Sequence, residues 1–267
     1  MKKEVYGPKT PLSKSLHALK YRSEGESFEE SQNRFADALK DSDEHYHTTR
    51  AILLHQRFMG GGRTQAAVGA PRVVTAFNCF VSEEIQDNME SIMDRAKDAA
   101  MTMRTGGGIG YDFSGLRPKG DRIVSLDSKS SGPVSFMQIY DAVCKTISSA
   151  GHRRGAQMGV LRIDHPDIEE FIKAKQNSDR LTAFNISIGV TDEFMSLVSK
   201  TAKTGKDELF ELKFQGVVYK KVSVKNLWEQ LMRSTWDWAA PGILFIDRIN
   251  DMNNLYYCET IRATNPC

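Results

Sequence analysis

The 267-residue sequence predicts an α/β protein built on a mainly parallel sheet. Two observations carry this. From Val73 onward, apolar runs of strand length alternate with longer segments of helical spacing. Helix-start signals stand between them: Ser82 ahead of Glu83-Glu84, Gly132-Pro133, and Asp192-Glu193. Strands separated by helices need crossover connections, and crossovers produce parallel pairing. Both a closed barrel and an open sheet satisfy the pattern.

Taken in order, residues 1–26 are polar, with Pro8 and Pro11, and read as a loosely held arm. Helical spacing runs from Phe28 to Leu39 and from Thr48 to Phe58, and a glycine-rich loop follows over 59–72. Val73 to Val81 reads as a buried strand, and a helix from Ser82 runs to about Met103. Ile109 to Phe113 is a strand, and Pro133 opens a helix with Phe136, Ile139, Tyr140, Val143 and Ile147 on one face. Strand Met158–Ile163, helix Pro166–Ala174 and strand Phe184–Val190 come next, with a helix after Asp192. Leu209–Phe214 and Val217–Val222 alternate around Gln215-Gly216 as a hairpin, before helix Val224–Trp238 and strand Ile243–Ile246. The expected division is an arm and helical region over 1–59 and the α/β body over 60–267.

Charged residues make up 26% and hydrophobic residues 40%, with a formal charge of +2, so no global attraction to nucleic acid is expected. No apolar run approaches the roughly 20 residues of a membrane span, and Met1-Lys2-Lys3-Glu4 opens no signal peptide. A cytoplasmic protein without membrane contact is the expectation. The four cysteines (Cys79, Cys144, Cys258, Cys267) are too few for a disulfide scaffold and have no zinc spacing, so no metal site is expected.

Several segments are candidates to carry chemistry. Gly106-Gly107-Gly108-Ile109-Gly110 is a tight turn, or a backbone that lets a ligand approach. It is neither a dinucleotide fingerprint nor a P-loop. Asp87-Asn88-Met89 by itself reads as part of an exposed helix surface. Residues 125–132 read as a solvated loop, and Arg153-Arg154 as a surface basic patch whose guanidinium forks suit phosphates and base edges. Cys79 is a packed thiol, or a redox group.

In order along the chain, Asn78-Cys79-Phe80, the glycine segment with Tyr111-Asp112-Phe113-Ser114-Gly115-Leu116-Arg117-Pro118, the Gly151–Gly155 loop, Pro241–Asn250 and Asn265-Pro266-Cys267 resemble the catalytic large subunit of ribonucleotide reductase. The resemblance runs from about Gly60 to Cys267 and implies the first half of a ten-stranded α/β barrel, preceded by a short helical region. It implies that Cys267 carries the thiyl radical and that Asn265 bonds the ribose. Cys79 would be one of two cysteines that reduce the substrate and close a disulfide, its partner falling after position 267.

By the same resemblance Asn78, Gly107, Gly108 and Arg153 meet the ribonucleotide. Asp87, Asn88, Met89, Arg117 and Lys119 meet a deoxynucleoside triphosphate or ATP effector, with 125–132 sensing its base. The wording of the motifs lies nearer the adenosylcobalamin-dependent members than those using a separate metal-radical subunit. Implied partners are a thioredoxin-type reductant, a C-terminal half supplying the glutamate base, and a second copy through the effector-site helices. A boundary after Asn-Pro-Cys fits an N-terminal extein or split-gene product, inert alone, with a truncated piece of the longer chain as the alternative. The stretch before Gly60 lacks the pattern of an ATP cone, so overall activity control by ATP and dATP is not expected.

Overall fold

A computed structural model describes residues 6–147, 155–176 and 179–267. They form two compact units: residues 6–78 with 104–107, and residues 79–103, 108–147 and 155–267.

The first unit is helical: α1 (Pro11–Tyr21), α2 (Phe28–Leu39), α3 (Asp43–Leu54) and α4 (Gly62–Ala67). The arm expected over 1–26 thus contains a helix. Thr10 and Ser13 form a reciprocal capping box and Pro11 occupies the first turn, which is enough local bonding to start α1 in a polar stretch. Phe35, Ala36 and Leu53 bury the contact of α2 with α3.

In the second unit, β1 (Cys79–Val81), α5 (Met89–Arg104) and β2 (Gly108–Asp112) are followed by a small antiparallel ribbon, β3 (Arg122–Ile123) with β4 (Ser128–Lys129). Then come α6 (Pro133–Thr146), β5 (Gln157–Arg162), α7 (Ile168–Ile172), β6 (Phe184–Val190) and α8 (Asp192–Thr204). The hairpin β7 (Leu209–Phe214) and β8 (Val217–Ser223) precedes α9 (Val224–Trp238), β9 (Gly242–Phe245) and α10 (Ile246–Asp251).

Strands β1, β2, β5, β6 and β9 form one sheet in chain order, every pair parallel. It is an open five-stranded sheet; no closed barrel is found among the described residues. One face is the core. Ile109, Tyr111, Phe184 and Ile186 are buried there, against Met103 of α5 and Met137 and Tyr140 of α6. Gln157 is fully buried but satisfied, accepting from the Tyr111 hydroxyl and donating to the Tyr140 carbonyl, both at 3.0 Å.

Several boundaries differ from the sequence expectation: the helix expected over Thr48–Phe58 is α3, Asp43–Leu54, started by the Ser42 cap on His45 N, and the loop expected over 59–72 contains α4. The strand expected from Val73 shrinks to 79–81: Val73 and Phe77, exposed at 85% and 72%, are not the buried strand residues that the apolar run suggested. The helix expected from Ser82 begins seven residues later. Asn88 accepts from Ser91 N at 2.8 Å and so supplies the N-cap. Ile85, 1% exposed, instead ties the preceding segment into the core.

Candidate functional site

The second face of the sheet is where the chemistry gathers. Alternate residues of a strand share a face, so Gly108 and Gly110 of β2 lie together on the side away from the core. A Cβ on Gly110 would overlap the Thr264 carbonyl, and one on Gly108 would meet Pro266 Cγ at 2.8 Å and Cys79 Sγ at 3.3 Å. Thr264 therefore sits over Gly110 and Pro266 over Gly108. The terminal segment runs along β2 in the opposite direction, in a groove that exists because β2 has no side chains there. The glycine segment is thus a turn at Gly106, where φ is 89°, leading into a strand whose one face is bare at Gly108 and Gly110.

That groove delivers Cys267 to Cys79. The two form a disulfide across 188 residues of sequence, with Cα atoms 6.8 Å apart, and Cys79 pairs with Gly108 in the sheet register. The expected partner of Cys79 lay beyond position 267; in this structure the facing sulfur is Cys267. The free cysteines are Cys144, whose thiol is pushed up by burial, and exposed Cys258.

Two residues not singled out from the sequence hold the segment in place. Asn185 on β6 donates to the Pro266 carbonyl at 3.3 Å. Asn250 on α10 accepts from Ile261 N at 2.7 Å and donates to the Ile261 carbonyl at 2.8 Å, closing the excursion that leads into the segment. Only the sequence distance between partners hid them. Beside the segment, at the carboxyl ends of β1 and β2, lies an open cavity of about 980 Å³. Asp112, Tyr256, Tyr257, Arg262, Thr264 and Asn265 are among the residues lining it. Burial pushes the Asp112 carboxyl up, against a hydrogen bond from Ser114 N.

A second cluster surrounds the loop between β2 and β3. Arg117 binds Asp87 twice: its backbone N–H donates to Oδ1 at 3.1 Å and its Nε to Oδ2 at 2.6 Å. Lys119 Nζ pairs with Glu170 at 3.1 Å, and its backbone N–H donates to Asp167 at 2.8 Å. His165 is buried behind the loop. Its Nε2–H donates to the Leu116 carbonyl and its Nδ1 accepts from Asp167 N, so both bonds require the neutral ring. Burial lowers its pKa.

Residues 77–267 match the ribonucleotide reductase barrel domain. The chain belongs to the ribonucleotide reductase family. It is 39% identical over 192 residues to the vitamin B12-dependent ribonucleoside-diphosphate reductase of Thermoplasma acidophilum, covering 71% of this chain and 24% of that protein. It is 31% identical over 271 residues to the vitamin B12-dependent ribonucleotide reductase of Streptomyces avermitilis, covering 92% of this chain and 27% of that one. The chain thus spans about a quarter of the length of these relatives. In fold it resembles the Actinobacillus ureae class Id ribonucleotide reductase alpha subunit, with a TM-score of 0.77 at 21% identity over 97% of this chain and 45% of that one.

Among the residues that the resemblance to ribonucleotide reductase singled out, the structure brings together Cys79, Gly108, Asn265 and Cys267 in one cluster, and Asp87, Arg117 and Lys119 in another. Asn78, exposed, and Gly107, buried, fall in the first compact unit. Asn88 is the α5 cap and Met89 its exposed first residue. Arg153 lies outside the described residues. Among those residues no helix is long and apolar enough to cross a membrane.

Proposed function

We propose that this chain supplies the front of a ribonucleotide reductase active site, and that it reduces ribonucleotides only when completed by a C-terminal half. The observation that carries this is the convergence of Cys79 and Cys267 over Gly108. Two sulfurs so placed can exchange electrons with each other or flank a substrate. As a disulfide, neither has an S–H to give. Reaction therefore begins with a dithiol of thioredoxin type, which reduces Cys79–Cys267 to two thiols and leaves as a disulfide. Cys267 then carries the thiyl radical that takes hydrogen from the ribose. Asn265, two residues before it on the segment, bonds the sugar. Cys79 is one of the two thiols that reduce the substrate; its redox partner and the general base come from the other half.

The relatives' dependence on vitamin B12 supports adenosylcobalamin as the radical source. The cavity fits this in chemistry: it is open, it reaches Thr264 and Asn265 near Cys267, and the adjacent rings of Tyr256 and Tyr257 offer flat apolar surface to an adenosyl group. When bound, the cofactor supplies the radical equivalent that oxidises Cys267.

The cluster of Asp87, Arg117 and Lys119 is proposed as the effector site, where Arg117 and Lys119 would exchange their carboxylate partners for a triphosphate. A second copy docking on the helices beside it would complete that site. The test is reconstitution. The chain joined to a C-terminal half, given adenosylcobalamin and a dithiol, is expected to form deoxyribonucleotide, and the chain alone none. Turnover by the chain alone would overturn this reading.

A further inference from the structure

The β7–β8 hairpin lies outside every role assigned above, yet its tip reaches the loop that carries Arg117 and Lys119. The tip is a two-residue turn in which Gln215 and Gly216 both have positive φ, at 48° and 81°, and the pairing shifts register between Leu212 and Lys213, so that Tyr219 falls between the pairs Lys213–Val218 and Leu212–Lys220. This turn sets Phe214 and Val217 opposite each other. Phe214 packs edge-on against the His165 ring, with centroids 5.8 Å apart, and the Lys213 backbone N–H donates to the Asp164 carbonyl at 2.7 Å. His165 in turn holds the Leu116 carbonyl, one residue before Arg117.

On the other strand, the Tyr219 hydroxyl donates to Asp121 Oδ2 at 3.1 Å. Asp121 is the root of the β3–β4 ribbon: its carbonyl accepts from Ser130 N, and Gly120 N–H donates to the Ser130 carbonyl, both at 2.8 Å. Lys220 pairs with Glu169, next to the Glu170 that holds Lys119. The hairpin therefore grips the loop at both ends, through His165 at Leu116 and through Tyr219 at Asp121, with the two cations between.

From this geometry we infer that Tyr219 is a positioning residue for anion binding by Arg117 and Lys119, with the hairpin acting as a strut that sets the pose of residues 116–121. The inference rests on the effector reading of that cluster. Without the Tyr219 contact more of the ordering of the loop falls to the ligand, and that ordering lowers affinity.

The test uses the reductase assembled from this chain and its C-terminal half, titrated calorimetrically with dTTP and with inorganic tripolyphosphate. Tyr219→Phe keeps the ring and removes only the hydroxyl. It is expected to weaken both ligands by about threefold to tenfold, the worth of one solvent-exposed hydrogen bond, with an unchanged melting temperature. Asp121→Asn keeps an acceptor for Tyr219 and is expected to retain wild-type affinity, whereas Tyr219→Phe with Asp121→Asn should lose no more than Tyr219→Phe alone. Wild-type affinity in Tyr219→Phe, beside a clear loss in Arg117→Ala, would overturn the strut and leave the effector reading standing. Affinity and melting temperature falling together in Tyr219→Phe would overturn it as well. Wild-type affinity in Arg117→Ala too would remove the effector reading, and the strut with it.

Discussion

The sulfur cluster and the Arg117 loop are made by opposite means. The first depends on what is absent: Gly108 and Gly110 leave a bare stripe on β2, and residues 264–267 lie in it. The second depends on what is present: cations matched to carboxylates at 2.6–3.1 Å, exposed enough for a ligand to compete. A site of the first kind tolerates no added atom. A site of the second kind loses strength in steps, one contact at a time.

The sharpest break in the comparison is at the sulfurs. In the assembled enzyme Cys267→Ser is expected to abolish even a single turnover, because an alcohol O–H bond is too strong to replace the thiol. Cys79→Ser should still permit hydrogen abstraction but stop disulfide-forming turnover. Rapid-quench product analysis separates the two, and equal residual activity in both would end this division of roles.

Gly110→Ala is the next largest. Its methyl group occupies the space of the Thr264 carbonyl, so the segment must leave the groove. Misplacement of reacting groups by about 1 Å costs roughly a hundredfold in rate, and a loss of at least that size is expected. Thiol titration supplies an independent readout. The unreduced protein should show two titratable thiols on denaturation, Cys144 and Cys258, whereas Gly110→Ala should show four.

Arg117→Ala should remove a charge-assisted phosphate contact of roughly 1.5–3 kcal/mol, about ten- to a hundredfold in effector affinity. Here the effect is graded where the glycine effect is all or none. Asp87→Ala should cost less, since it frees Arg117 as well as losing a sugar contact. Calorimetry with dTTP and dGTP measures both, and a larger loss in Asp87→Ala would reverse the roles.

The smallest effect is expected at His165. Its folded pKa is lowered by burial, whereas in the unfolded chain it titrates near 6.5. Between those values the unfolded state holds the extra proton, so stability falls as pH drops through about 6.5 and levels off below the folded pKa. Melting temperatures between about pH 7.5 and 5.5 should fall more steeply in the wild type than in His165→Gln. Parallel slopes would mean the buried ring does not govern this window.

Much of the α/β body was legible in the sequence. Strand Phe184–Val190 and helix α9 stand where the apolar pattern put them, and the hairpin turn was marked by Gln215-Gly216, because periodicity and turn chemistry are local. The failures are where tertiary contact overrides a local signal. Ser82-Glu83-Glu84 has the form of a helix start, but burial of Ile85 draws that segment elsewhere and hands the cap to Asn88.

By itself the sequence determined the order of the main strands and helices of the α/β body, since periodicity and turn chemistry depend on neighbours a few residues apart. Tertiary structure alone decided that Cys79 meets Cys267 across 188 residues, that Asn185 and Asn250 hold the segment, and that Arg117 rests on Asp87. It also decided that the hairpin reaches the Arg117 loop through Tyr219. These are meetings of residues far apart in the chain. Their geometry is set by parallel crossovers and core packing, which no window of neighbouring residues encodes.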